Sequence, residues 1–285
     1  MGTLSEISPL NLQLWLWSNE RFVSLTSVRM RQMIRIPDEL KIEDGYGYRV
    51  TEEDLRFLNI TLEDAIANQD RKYPLGMTQK RFDLFVEELQ SALNRDSVFD
   101  ADVRLQGSSA HFFSGHHKLM PAGPLEIAQL IRQSGRFPVA VEIEEIVEKI
   151  EQLWPASARP KRRPFDVTNK LRIDYQLSDY DVQISSDELV NRAVEFCESQ
   201  GPVVRQLKWS NPQYDFISKD LYGRMCPTLQ DWAVRQSMTL GRPVTLAIFG
   251  AEGPPEQSGP LSMLSSHFRQ TDWKLVDPVG TFDVA

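Results

Sequence analysis

Hydrophobic positions recur at helical spacing most clearly over 78–95, where Phe82, Phe85, Val86, Leu89 and Leu93 form one stripe behind a capping Thr78. The same period predicts helices at about 124–133 and about 142–154, the second with Ile143, Ile146, Val147, Ile150 and Leu153 on one face. Ser186 with Asp187 and Glu188 opens a helix ending near Ser199, and "PTLQDWAVRQSM" reads as a helix capped by Thr228. Thr51, with Asp54 three residues on, marks a shorter capped helix after an irregular stretch. Alternation with a period of two marks "DVRLQ" (102–106) and "YDVQIS" (180–185) as strands. "PVTLAIFG" (243–250) is a near-continuous apolar run between Pro and Gly, which suits a buried central strand. "DWKLVDP" reads as an edge strand, and "PVVRQLKW" (202–209) as a further one. Residues 1–75 are poorly periodic, with the aromatic "LWLW" (14–17) expected to pack on the core. The breaker-rich, basic "PASARPKRRP" (155–164) and "AEGPPEQSGP" (251–260) read as exposed loops. Strands and helices without strict alternation predict an α+β fold with a mixed sheet flanked by helices.

Composition changes this picture little. Apolar residues make up 41% of 285 and charged residues 25%, enough for a sizeable core in one large domain or two coupled lobes. The formal net charge of −8 argues against broad DNA or RNA binding through the phosphate backbone, while leaving room for a local basic groove. Cys197 and Cys226 lack metal-ligand spacing and read as reduced, packed thiols. No signal peptide and no run of about 18 apolar residues is evident, so the expectation is a cytoplasmic protein without a membrane partner.

Two short stretches carry chemistry. In "RLQGSSAHFFSGHHK" a strand runs into Gly107-Ser108-Ser109-Ala110, a corner with little side chain. Glycine permits close approach to the backbone, and amides and hydroxyls there suit phosphate oxygens. In "LSDYDVQISS", Asp179 and Asp181 stand at i and i+2 of a strand and so point to one face. Two convergent carboxylates repel unless a cation joins them, and an all-oxygen donor set selects Mg²⁺ or Mn²⁺. An edge strand with its acidic face in water is the bland alternative.

Together, the Gly-Ser corner and the Asp-x-Asp strand resemble the DNA polymerase β-like nucleotidyltransferase superfamily. The resemblance implies that Gly107 and Ser108, with Ser109, contact the phosphates of a nucleoside triphosphate. It also implies that Asp179 and Asp181 are catalytic metal ligands for Mg²⁺ or Mn²⁺. The implied reaction is transfer of a nucleoside monophosphate to a hydroxyl of RNA, protein, a small molecule or another nucleotide. About 70 residues separate the motifs, an unusually long interval. It is read as a helical insertion at about 116–172 within a nucleotidyltransferase-like domain over 78–285, behind an N-terminal segment, 1–77. The family's third carboxylate is not evident: Thr245 stands on the best candidate strand, and Asp231, Glu252 or Asp272 are the acids that could reach in. A weak or inactive nucleotide-binding protein, such as a toxin–antitoxin or defence partner, is therefore an alternative. An Asp-x-Asp glycosyltransferase holding Mn²⁺ is another.

Lys118 and Arg163 are candidate phosphate ligands, and His111, Thr245, His267 and Arg269 candidate lining residues. His111, His116 and His117 match no zinc spacing. Ser108 and Ser109 lack the Gly-x-Ser-x-Gly elbow of a serine hydrolase.

Overall fold

The computed structural model describes residues 40–199, 217, 219–253 and 272–278. The expectations for 14–17, 202–209 and 254–260 lie outside these residues. Among the described residues, four strands form one mixed sheet in the order β3-β2-β1-β4: β1 (Asp102–Gln106), β2 (Tyr180–Ser185), β3 (Val244–Phe249) and β4 (Trp273–Val276). β1 is antiparallel to both β2 and β4, and β2 is parallel to β3. Helices α1 (Glu52–Leu58), α2 (Leu62–Gln69) and α3 (Gln79–Arg95) precede the sheet. Between β1 and β2 lie α4 (Ser108–His111), α5 (Pro124–Gln133), α6 (Ala140–Leu153) and α7 (Val167–Lys170). Between β2 and β3 lie α8 (Asp187–Ser199), α9 (Lys219–Met225) and α10 (Pro227–Leu240). The class is α+β, as the mixed periodicities predict. No described helix is long and apolar enough to cross a membrane.

Alternation along the strands separates two faces. Val103, Leu105, Tyr180, Val182, Ile184, Leu246 and Ile248 are buried in one core with Phe85, Leu89 and Leu93 of α3 and Leu229 and Trp232 of α10. The other face is polar. Gln183 Nε2 donates to Gln106 Oε1 at 2.6 Å, and Gln106 Nε2 donates to Asp272 Oδ2 at 2.6 Å, a chain of buried polar groups running from β2 through β1 to the residue before β4.

Local signals behave as their chemistry requires. At α1 both arms of the capping box form, Asp54 N–H to Thr51 Oγ1 at 3.2 Å and Thr51 N–H to Asp54 Oδ2 at 2.7 Å. Asp54 also accepts from Trp154 Nε1 at 2.6 Å and Tyr48 Oη at 2.7 Å. Burial, then the Asp54 charge, raises the Tyr48 pKa far above that of a free phenol.

Three expectations are corrected. Helix α10 is capped at Cys226 rather than Thr228, because Pro227 occupies its first turn and Asp96 accepts from the Thr228 and Leu229 amides. Strand β3 is the outermost of the described strands, not a central one, although Ile217 N–H donates to Ile248 O on its far side. Its half-buried Ala247 sits on the polar side, and an apolar residue there hid the alternation. The stretch 155–164 is not simply a solvated loop. Its end pairs with 112–120 through Phe113↔Pro164 and Leu119↔Arg162, and Arg162 donates to the carbonyls of Ser114, Phe113 and Asp44. The α6 stripe buries only Ile146 and Ile150 fully; Ile143, Val147 and Leu153 are half-buried.

Phe85 has no exposed surface and lies 4.8 Å, centroid to centroid, from Trp232. Phe85→Ala is expected to cost about 3–5 kcal/mol in urea unfolding, whereas Phe99→Ala, at a side chain 49% exposed, should stay within about 0.5 kcal/mol. Burial, then the Asp96 charge, pushes the Cys226 thiol up to about 12. Its folded pKa lies above the unfolded one, so the stabilisation from the neutral thiol is complete below the ordinary thiol pKa. It is lost as pH rises towards about 12. Cys226 should accordingly resist a thiol reagent at about pH 8 and react only when the chain is unfolded in denaturant.

Candidate functional site

Gly107 ends β1 with φ +80° and ψ −169°, a backbone region essentially closed to residues with a Cβ. The glycine is required by conformation rather than by crowding, since a Cβ there would meet Asp181 Cβ at an ordinary 3.7 Å. The helix after it is a single turn, with the Ala110 and His111 amides donating to Gly107 O. Ser108 faces a cleft. Ser109 does not: it is fully buried, and its carbonyl accepts from Leu75 N–H at 2.9 Å and Asn68 Nδ2 at 3.0 Å. Its buried hydroxyl donates to Gln106 O at 3.5 Å and does not line the cleft, which corrects the expectation of a phosphate contact.

The ladder between β1 and β2 sets Gln106 against Asp181, so the corner and the acidic strand adjoin despite the long interval between them. Asp179 and Asp181 are half-buried in the same cleft as Gly107 and Ser108. Thr245 is in register with Asp181 across the parallel ladder and donates from Oγ1 to Asp179 Oδ2 at 3.2 Å. The cleft encloses about 360 Å³, within the range of about 300–1,000 Å³ usual for small-molecule sites.

Basic side chains line the same cleft. The ribbon 112–120 with 161–165 is closed by Phe165 N–H to Phe112 O, Ser114 N–H to Arg163 O, Arg163 N–H to Lys118 O and Met120 N–H to Lys161 O. This pairing brings Lys118, Arg163 and His117 to the cleft. Arg163 Nε donates to Leu119 O at 2.8 Å, and burial lowers its pKa from the ordinary arginine value. Burial, then the charges of Lys118, Arg163 and His116, lowers the His117 pKa. The remaining basic side chains of the run are occupied elsewhere: Arg159 pairs with Glu151, and the Lys161 ammonium lies 5.0 Å from the Tyr46 ring centroid.

No protein-family model, curated protein or solved structure matches this chain. The site is therefore read from its own geometry.

Other sequence candidates fall apart from the cleft. His111 lies 3.8 Å from Asp272 and does not line it. His267 and Arg269 lie outside the described residues. Asp231 on α10 and Glu252 after β3 are exposed and away from the cleft, and Asp272 is buried against Gln106. Among the described residues no three of His, Cys, Asp and Glu converge as a metal cage. Two carboxylates with a threonine hydroxyl nonetheless suit Mg²⁺, which binds through one or two carboxylates and fills its shell with water and substrate phosphate. The donor set fits a metal that arrives with a phosphate ligand.

Asp174, Gln176, Thr168 and Ser114 also line the cleft, and the linear sequence did not single them out. Asp174 Oδ1 accepts from Gln176 N–H at 2.9 Å, a local turn whose only signal was the unremarkable "RIDYQ".

The His117 ring is expected to titrate below the ordinary histidine value of about 6.5 by NMR, and Lys118→Ala should move it upward by removing one facing cation. An unmoved His117 titration would remove Lys118 from that side of the cleft.

Proposed function

We propose that the protein is a Mg²⁺-dependent nucleotidyltransferase that binds a nucleoside triphosphate in the cleft and transfers its nucleoside monophosphate to a hydroxyl acceptor. The observation that carries this reading is the meeting of opposite charges around one glycine corner. Asp179, Asp181, Gly107-Ser108, Lys118 and Arg163 all line one cleft. A polyphosphate chain laid along the corner would meet both cations and carboxylates, and the carboxylates need a divalent ion as intermediary.

In the transfer, the acceptor oxygen forms a bond to the α-phosphorus, the bond from that phosphorus to the oxygen bridging the β-phosphate breaks, and pyrophosphate leaves. The hydroxyl proton passes to water, since Thr245 cannot act as a base. Bound Mg²⁺ supplies Lewis-acid stabilisation of the charge on the phosphoryl oxygens. Asp179 and Asp181 hold and orient, Ser108 and the corner amides bind phosphate oxygen, and Lys118 and Arg163 neutralise the leaving pyrophosphate. The formal charge of −8 does not forbid this, because at physiological salt surface charges beyond about 8 Å are largely screened while these two cations act at contact. Buried, unbridged Cys197 and Cys226 accord with a reducing cytoplasm.

A second reading is favoured by one observation, the threonine opposite Asp181 where a third acid would sit. On that reading the protein binds the nucleotide without turning it over, as a sensor or partner. One experiment separates the two. Pyrophosphate release from each of the four ribonucleoside triphosphates is followed with Mg²⁺ and with excess chelator, while calorimetry reports binding. Metal-dependent release that falls by about a thousandfold or more in Asp179→Asn/Asp181→Asn is expected. Binding without release would favour the second reading, and wild-type turnover in the double variant would overturn both.

A further inference from the structure

We infer that the buried Asp166–Arg242 ion pair is a positioning device for Asp179, an inference that rests on the metal-holding reading of the cleft. Arg242 Nη1 donates to Asp166 Oδ1 at 3.2 Å and Nη2 to Oδ2 at 3.0 Å, with both side chains only 7% exposed. The pair holds Ser178, the residue before Asp179, by three polar groups. Ser178 N–H donates to Asp166 Oδ1 at 2.7 Å, Ser178 Oγ accepts from Asp166 N–H at 2.9 Å, and Ser178 O accepts from Arg242 Nη1 at 2.9 Å.

On the other side of Asp179, Tyr180 is held as firmly. Its amide donates to Pro243 O at 2.8 Å and its hydroxyl to Leu75 O at 3.0 Å. The Arg242 guanidinium lies 4.6 Å from the Phe165 ring centroid and 5.4 Å from that of Tyr180. Asp179 is thus suspended between two clamped neighbours. Arg242 also begins the segment that delivers Thr245 to the Asp179 carboxylate, so one guanidinium sets both oxygen-bearing strands.

Two local features fit a geometric role. Asp166 has φ +57°, a left-handed conformation that Asp tolerates better than most residues. A Cβ on Gly76 would come within 2.8 Å of Tyr180 Oη and 3.0 Å of Arg242 Nη2, so the chain there is shaped around the clamp. A buried ion pair is often no more stabilising than apolar side chains of equal volume. What this pair provides is orientation: a bidentate fork with one allowed arrangement. Outer contacts of this kind commonly change metal affinity by about 10–100-fold.

The test measures Mn²⁺ binding to the full chain by water-proton relaxation, with a non-hydrolysable triphosphate analogue present so that there is no turnover, alongside thermal unfolding. The wild type is expected to bind Mn²⁺, and Asp179→Asn to lose it. Arg242→Lys, which keeps the charge but not the fork, and Asp166→Asn should weaken binding about 10–100-fold. Ser178→Ala leaves the ion pair whole, and it should weaken binding severalfold even if the other variants fold poorly. Ile150→Ala, a core truncation in α6, should lower thermal stability with Mn²⁺ affinity unchanged. Wild-type affinity in Arg242→Lys, Asp166→Asn and Ser178→Ala would overturn the clamp and leave the metal reading standing. If the wild type bound Mn²⁺ no better than Asp179→Asn, the metal reading would fall and the clamp with it.

Discussion

Along β1 and β2 the antiparallel ladder pairs Leu105 with Val182 and Gln106 with Asp181, and every feature of the cleft depends on that register. Strand side chains alternate with a period of two, so a slip of one residue would turn Asp181 into the core and Val182 into water. The register resists slipping because Tyr180, Val182 and Ile184 are fully buried against Phe85, Leu89 and Trp232. It also delivers the open end of β1, with its positive-φ glycine, beside the acidic strand. Hydrophobic packing on one face thereby fixes charge placement on the other.

Charge in the cleft is divided between walls built by different means. On the acidic wall Asp181 belongs to β2 and is placed by the ladder, whereas Asp179, one residue before the strand, is placed by Thr245 and the clamped Ser178. The cationic wall comes from an irregular ribbon in which Arg162 is used up on main-chain carbonyls while Lys118 and Arg163 reach the cleft. Burial lowers the Arg163 pKa, and burial with the charges of Lys118, Arg163 and His116 lowers that of His117. On the proposed reading, a phosphate bound there would relieve the repulsion around His117.

How much was legible varies with the range of the determining interaction. The cap of α1 and the extent of α3 follow from residues within a turn of one another, and both stand as read. The α10 cap was misplaced because Asp96, far away in sequence, takes the amides that Thr228 would have served. Ser109 was misassigned because its hydroxyl is buried against Gln106 O while Asn68 and Leu75, distant in sequence, hold its carbonyl. The Asp166–Arg242 pair gave no linear signal at all: 76 residues separate its partners, and neither stands in a motif.

The amino-acid sequence by itself determined the element types, the two-faced strands, the glycine corner and the paired aspartates, because each is set by periodicity or by neighbours a few residues apart. Tertiary structure decided that the corner and the aspartates share one cleft, that Lys118 and Arg163 line it with them, and that Asp231, Glu252 and Asp272 do not join them. The physical reason is that strand order and register are properties of a whole sheet, fixed by which apolar faces bury together, and no local pattern specifies them.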